Sequence, residues 1–149
     1  MSNPTRTVLD PRAVRVIALI ATGTDRRDIA AHLGIGERTV NWDIDRACRA
    51  LLVRRNDRAA LVNTAIREGV ITLPALPPVA MGKHLLATLE LIADGYTNAE
   101  IAAELTLSVD AVKSRIKCVL RTLNANGRAH AVAVGRQRGL QHTEQPAGR

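Results

Sequence analysis

Apolar residues recur along this chain at three- and four-residue spacing, in short blocks that form two matching sets of four. Ala13, Val16, Ile17 and Ile20 line one face of a predicted helix that begins at Pro11, runs to about Thr22 and ends at Gly23. Ile29, Ala30 and Leu33 do the same over 25–33, and Val40, Ile44, Ala47 and Leu51 over 37–53. A fourth block, 58–68, closes the set before Gly69. The second set predicts helices over 84–93, 98–105, 109–123 and 128–138. Neither set shows the alternation of a strand, so the fold class is all-α. Asp10 before Pro11 is a cap followed by the residue best suited to a first helical position. Thr97-Asn98-Ala99-Glu100 spells a capping box, and Ser108 can cap 109–123 where the first set offers only Gly36. These caps predict the second set to be the more stable.

The two sets are copies. Leu19-Ile20-Ala21-Thr22-Gly23 and Ile29-Ala30-Ala31-His32-Leu33 return as Leu91-Ile92-Ala93-Asp94-Gly95 and Ile101-Ala102-Ala103-Glu104-Leu105. The match continues through Val40 and Val112, Ile44 and Ile116, and Leu51 and Leu123. It resumes after a two-residue shift with Arg58-Ala59 against Arg128-Ala129. The repeat divides the chain into a first unit at 9–70, a connector at 71–82, a second unit at 83–140 and a tail at 141–149 that is expected to be disordered. The connector holds Pro74, Pro77 and Pro78, which stiffen it. It is too apolar for a free tether, so Leu73, Leu76 and Val79 are expected to lie against one or both units and fix their orientation. In each unit a short second helix, a tight turn (Gly34-Ile35-Gly36 in the first) and a longer third helix make a helix-turn-helix, a device for presenting one helix to a DNA groove.

Composition narrows the choice of partner. Two units within 149 residues are each near the lower limit for independent folding, and with no Phe, one Trp and one Tyr their cores must be built from Ala, Leu, Val and Ile. The net charge of +7 favours a polyanion. Cys48 and Cys118 fall at non-equivalent places in the repeat and are expected to be buried, reduced thiols. No apolar run approaches the ~20 residues of a membrane span, and 1–8 lacks the apolar core of a signal peptide, so a soluble cytoplasmic protein acting at the nucleoid is expected. His32, His84, His130 and His142 share no metal-ligand spacing with each other or with the cysteines, and no nucleophile elbow, phosphate loop or carboxylate pair is visible. The chain is accordingly expected to be no enzyme and to use neither cofactor nor metal.

The run Leu91-Ile92-Ala93-Asp94-Gly95-Tyr96-Thr97-Asn98-Ala99-Glu100-Ile101-Ala102, with Leu105, Ser108, Val112-Lys113, Ile116, Leu123 and Arg128-Ala129, resembles the LuxR/GerE-type helix-turn-helix domain of bacterial regulators. The first unit is similar but degraded: it keeps Gly23, Asp28-Ile29-Ala30, Leu33 and Thr39-Val40, yet has Asn41 where the family has lysine. The resemblance implies two tandem four-helix domains whose third helices, 37–53 and 109–123, enter the major groove. It implies base contacts from Lys113, Ser114 and Lys117, with nearby hydroxyl, Lys and Arg side chains on phosphates. Helical spacing agrees, for if Val112, Ile116, Val119 and Leu123 point inward then Lys113, Ser114, Lys117 and Arg121 share the outer side. The DNA-contacting set is therefore read as Lys113, Ser114, Arg115, Lys117, Arg121, Thr97, Asn98 and Ser108, with Arg38, Asn41, Trp42 and Arg46 from the first unit.

The first unit also supports a different reading. Its third helix carries Glu37, Asp43 and Asp45 against Arg38, Arg46 and Arg49 and is neutral, while 109–123 sets Asp110 against Lys113, Arg115, Lys117 and Arg121. Asp45 stands where the second copy has Lys117. Trp42 stands where it has Ser114, and can stack on nucleic acid, anchor a protein interface, or pack on the connector or the other unit. Two functions follow: a sequence-specific double-stranded DNA-binding transcriptional regulator, and a protein-interaction factor whose first unit engages RNA polymerase, a sigma factor or another regulator. The chain would act as a monomeric covalent pseudo-dimer, whose two third helices match successive major grooves about 34 Å apart, or as a homodimer.

Overall fold

The computed structural model describes residues 9–140, and the tail at 141–149 and His142 lie outside them. Those residues form eight α-helices and no strand. The first four are α1 (Pro11–Ala21), α2 (Arg26–Leu33), α3 (Glu37–Ala50) and α4 (Arg58–Arg67). They are followed by α5 (Lys83–Ala93), α6 (Asn98–Leu105), α7 (Val109–Leu123) and α8 (Arg128–Gln137). No helix among the described residues is long and apolar enough to cross a membrane.

Burial follows the apolar spacing. Val16, Ile17, Ile29, Val40, Ile44, Leu61 and Val62 centre one cluster among α1–α4, while Leu89, Ile92, Ile101, Val112, Val119 and Leu123 centre another among α5–α8. The clusters are not sealed from each other. Ala133 of α8 belongs to the first and Ala59 of α4 to the second, so each half completes the other's core with a small residue. The contact pattern is unchanged when the halves are exchanged: α4 lies along α8, while α8 reaches α1 and α4 reaches α5. Alanines on α4 and α8, with Gly135 close against Leu89, permit the short approach between helices.

One buried polar node sits in this junction. Asn63 of α4, 3% exposed, donates to the carbonyl of Ala93 (3.1 Å) and accepts from both Nε and Nη2 of Arg136, the Nε bond being 2.9 Å. The connector is fastened as its apolar composition requires. Leu73 packs on the first cluster, Leu76, Val79 and Met81 pack on the second, the Leu76 amide donates to the Gln137 carbonyl (2.7 Å), and Arg138 donates to the Pro77 carbonyl (2.7 Å).

Three sequence expectations need correction. The third helix of the first half ends at Ala50 rather than 53, because Leu52 turns into left-handed backbone (φ 58) and breaks the ladder. The caps do not favour the second half: Asp10, Asp25 and Asp57 accept capping amides for α1, α2 and α4, whereas Gly82 and Gly127 give α5 and α8 no side-chain cap. The capping box on α6 and the Ser108 cap on α7 do form. Cys48 is buried but Cys118 is exposed, because it lies one turn beyond Ser114 on the outer side of α7.

Candidate nucleic-acid interface

The orientation of α7 is set by the turn before it. Thr106 takes left-handed backbone (φ 56, ψ 51) at the end of α6, Leu107 tucks against the second core, and the Ser108 hydroxyl accepts the Ala111 amide at 3.1 Å. In the first half Gly34 (φ 67) makes the equivalent turn. With Val112, Ile116, Val119 and Leu123 buried, Lys113, Ser114, Lys117 and Arg121 stand exposed along the opposite side of α7, and Arg115 is half-buried on its flank. None of these four cations forms an ion pair with a described residue. A row of unpaired, hydrated cations beside a small hydroxyl residue is suited to phosphate and base-edge acceptors.

Thr97 and Ser108 act as helix caps whose hydroxyl oxygens accept from Glu100 (3.2 Å) and Ala111. Both residues are exposed; the Ser108 hydroxyl proton remains available for an external acceptor, while the Thr97 hydroxyl supports the Glu100 carboxylate. Asn98 is half-buried and occupied within the fold, since its Oδ1 accepts from Arg128 Nη1 at 2.6 Å while Arg128 Nη2 donates to the Tyr96 carbonyl at 2.9 Å. Burial lowers the pKa of Arg128, with Asp57 opposing the shift. Arg128 was legible only as a repeated Arg-Ala pair, and its role in holding the start of α6 was not.

The two halves meet beside α7 in a cleft of about 1140 Å³ to which both contribute. Lys113, Arg54, Arg55, Arg58 and Arg128 reach it, against Asp25, Asp28 and Asp57. Two bonds cross it. Arg54 pairs with Glu100 (2.9 Å), the capping-box carboxylate, and Asn126 Nδ2 donates to the Gly23 carbonyl (2.7 Å). Arg54 first, then the Thr97 amide and hydroxyl, lower the Glu100 pKa to about 2. Burial lowers that of His130, whose Nδ1 accepts from the Asn126 amide at 3.2 Å. A charge count along the sequence gives no sign of this cross-half pairing.

The outer side of α3 differs. Arg38, Trp42 and Arg46 are exposed, and Asn41 is half-buried with a long 3.5 Å contact from Arg26. Two of the acids that make α3 neutral in sequence are occupied. Asp43, 1% exposed, is held by Arg12 in two bonds of 2.7 and 3.0 Å, and Asp45 pairs with Arg55 at 3.3 Å. The exposed helix is thus more basic than its composition, with Arg38, Arg46 and Arg49 set against Glu37. Trp42 is 62% exposed, which rules out packing on the connector or the other half, and the Arg46 guanidinium lies 5.5 Å from its ring centroid.

Residues 86–134, from α5 into α8, match the family model of the bacterial regulatory proteins of the luxR family. The match places one LuxR-type helix-turn-helix domain on this stretch, the kind of domain carried by DNA-binding transcription regulators. No match was found among curated proteins or among solved structures.

Proposed function

We propose that the chain is a transcriptional regulator that binds specific double-stranded DNA sequences by placing α7 in the major groove. The observation that carries this is the exposed, unpaired row of Lys113, Lys117 and Arg121 beside Ser114, on a helix fixed by the α6 turn and inside the matched segment. Lys113, Ser114 and Lys117 meet base edges, while Arg115, Arg121 and the hydroxyl proton of Ser108 meet phosphates, and Thr97 acts through the capping box that holds the start of α6. Asn98 acts indirectly, by anchoring Arg128. The α1–α4 half is a second helix-turn-helix domain joined to the first by the pinned connector. The surfaces of α4 and α8 that could pair two chains are spent inside one, which supports a monomeric covalent pair.

Within that pair α7 is the principal reading head. Asp45, which the repeat aligns with Lys117, is tied to Arg55 and offers no cation to a phosphate. Selection of bound duplexes from a random pool, then titration at several salt concentrations, tests the reading. Log affinity should fall linearly with log salt, at about 0.9 per neutralised phosphate. Replacing Lys113 and Lys117 by Ala should abolish specific binding, while Arg38→Ala with Asn41→Ala should change it little. Equal losses from both pairs, with a footprint across two successive major grooves, would instead establish α3 as a second reading head. Flat salt dependence would overturn DNA binding altogether.

The exposed Trp42 favours a second activity of the first half, engagement of another protein such as RNA polymerase, a sigma factor or a further regulator.

A further inference from the structure

The large apolar side chains exposed among the described residues are Trp42, Leu52 and Val109. Val109 is the one that belongs to the second half, and it is the first residue of α7. Exposure alone is ordinary for an aliphatic side chain, so its position is what carries information. Val109 is 40% exposed and takes part in neither apolar cluster. The start of α7 is secured without it, by the Ser108 cap and by Leu107 on the second core. The repeat places Glu37 at the equivalent position of the first half, so the fold itself asks for no aliphatic residue there.

Its neighbours define what it can meet. Val109, Lys113 and Lys117 follow at intervals of four residues and form one row along α7. Val109 and Lys113 also line the cleft between the halves together, so what reaches one can reach the other. In a helix-turn-helix the first residues of the reading helix come closest to the base edges. Those edges offer donors and acceptors to polar side chains and a single apolar group, the 5-methyl of thymine. The residue beside Val109 separates base from backbone as the target. Asp110 is exposed in the first turn of α7, and its carboxylate repels a phosphate but can accept from the amine of cytosine. A valine and a carboxylate side by side therefore make this end of α7 a poor seat for phosphate and a suitable one for base edges.

We propose that Val109 is a specificity-determining residue of α7, whose methyl groups rest on the 5-methyl group of a thymine next to the base edge met by Lys113. The inference rests on the reading of α7 as the DNA-binding helix and adds to it the identity of one base. With Glu37 at the equivalent place, the first half has no counterpart of this contact.

The full chain is bound to the duplex selected from a random pool, and each thymine of that duplex is replaced in turn by deoxyuridine, which lacks only the 5-methyl group. Burial of one such carbon corresponds to about a fourfold change in affinity. One replacement should weaken binding by about that factor. Val109→Ala should bind the thymine duplex more weakly by a similar factor, keep the salt slope of the native chain, and no longer distinguish deoxyuridine from thymine at that position. Val109→Thr, which retains one methyl, should keep part of the discrimination, and both variants should unfold at a temperature close to that of the native chain. Insensitivity to deoxyuridine at every position, or an equal sensitivity in Val109→Ala, would overturn the inference. The reading of α7 would survive that result provided Lys113→Ala with Lys117→Ala still abolishes specific binding. A pool that yields no selected duplex would overturn both.

Discussion

Asn63→Ala is the sharpest perturbation of the junction between the halves. Asn63 is buried and makes three bonds, one to the Ala93 carbonyl of α5 and two to the Arg136 guanidinium of α8. Alanine removes all three without relieving the burial of Arg136, whose pKa is already lowered chiefly by desolvation. A neutral hydrogen bond contributes about 1 kcal/mol net and a charge-assisted one about 1.5–3, and because both Arg136 bonds share the single Asn63 Oδ1 and count once, the loss should be about 3 kcal/mol. For a chain of this size that corresponds to a fall of about 6–12 °C in Tm. Arg136→Ala should cost less, about 1–3 kcal/mol, by leaving Asn63 Oδ1 unsatisfied. Because the two share their bonds, the double variant should be more stable than additivity predicts by about 1–2 kcal/mol. Urea unfolding followed by both helical ellipticity and Trp42 emission measures this cycle. The two probes should give coincident transitions, since Ala133 and Ala59 place each half inside the other's core. Additive single effects, or a Trp42 transition separated from the loss of helix, would refute an energetically single junction.

The turns that follow α2 and α6 should respond to substitution with opposite signs. Thr106 is β-branched in left-handed backbone (φ 56), so Thr106→Gly should stabilise by about 0.5–1 kcal/mol, while Gly34→Ala should destabilise by about 1, both read by thermal unfolding. The Glu100 carboxyl, lowered from 4.5 to about 2, contributes stability that is fully present above pH 4.5 and is lost as pH falls through 2. Carbon-detected titration should find its midpoint near 2, and Arg54→Ala should move it up toward 4.5; an unmoved midpoint would remove Arg54 as the main cause. A thiol reagent should modify Cys118 rapidly and Cys48 only after unfolding, since Cys118 is exposed and burial raises the Cys48 pKa. Two fast equivalents in native buffer would contradict that.

What the sequence disclosed and what it withheld divide along a physical line. Helix positions and inward faces were legible because apolar spacing responds only to burial. Ile17, Ile44, Ile101 and Val112 would be buried in any packing of these helices, and the exposed row on α7 follows from the same periodicity. Relations between elements that share no local signal were not legible. Asp43 reads as a surface acid until Arg12, distant in sequence, is seen to hold it. Glu100 reads as half of a capping box until Arg54 arrives from the other half. The net charge of α3 was misleading for that reason, because a helix presents only the charges its neighbours leave free. Leu52 shows a third kind of limit. A lone exposed leucine is ordinary in any sequence, and it becomes informative only when its backbone is found in a conformation that leucine resists. The repeat supplies the control in Asn124 (φ 51): the same fold meets the same turn with a residue at ease there. Divergence between the halves is therefore greatest where packing places no demand, on the outer side of the third helix and at its end. That is where two copies with different binding partners would be expected to differ.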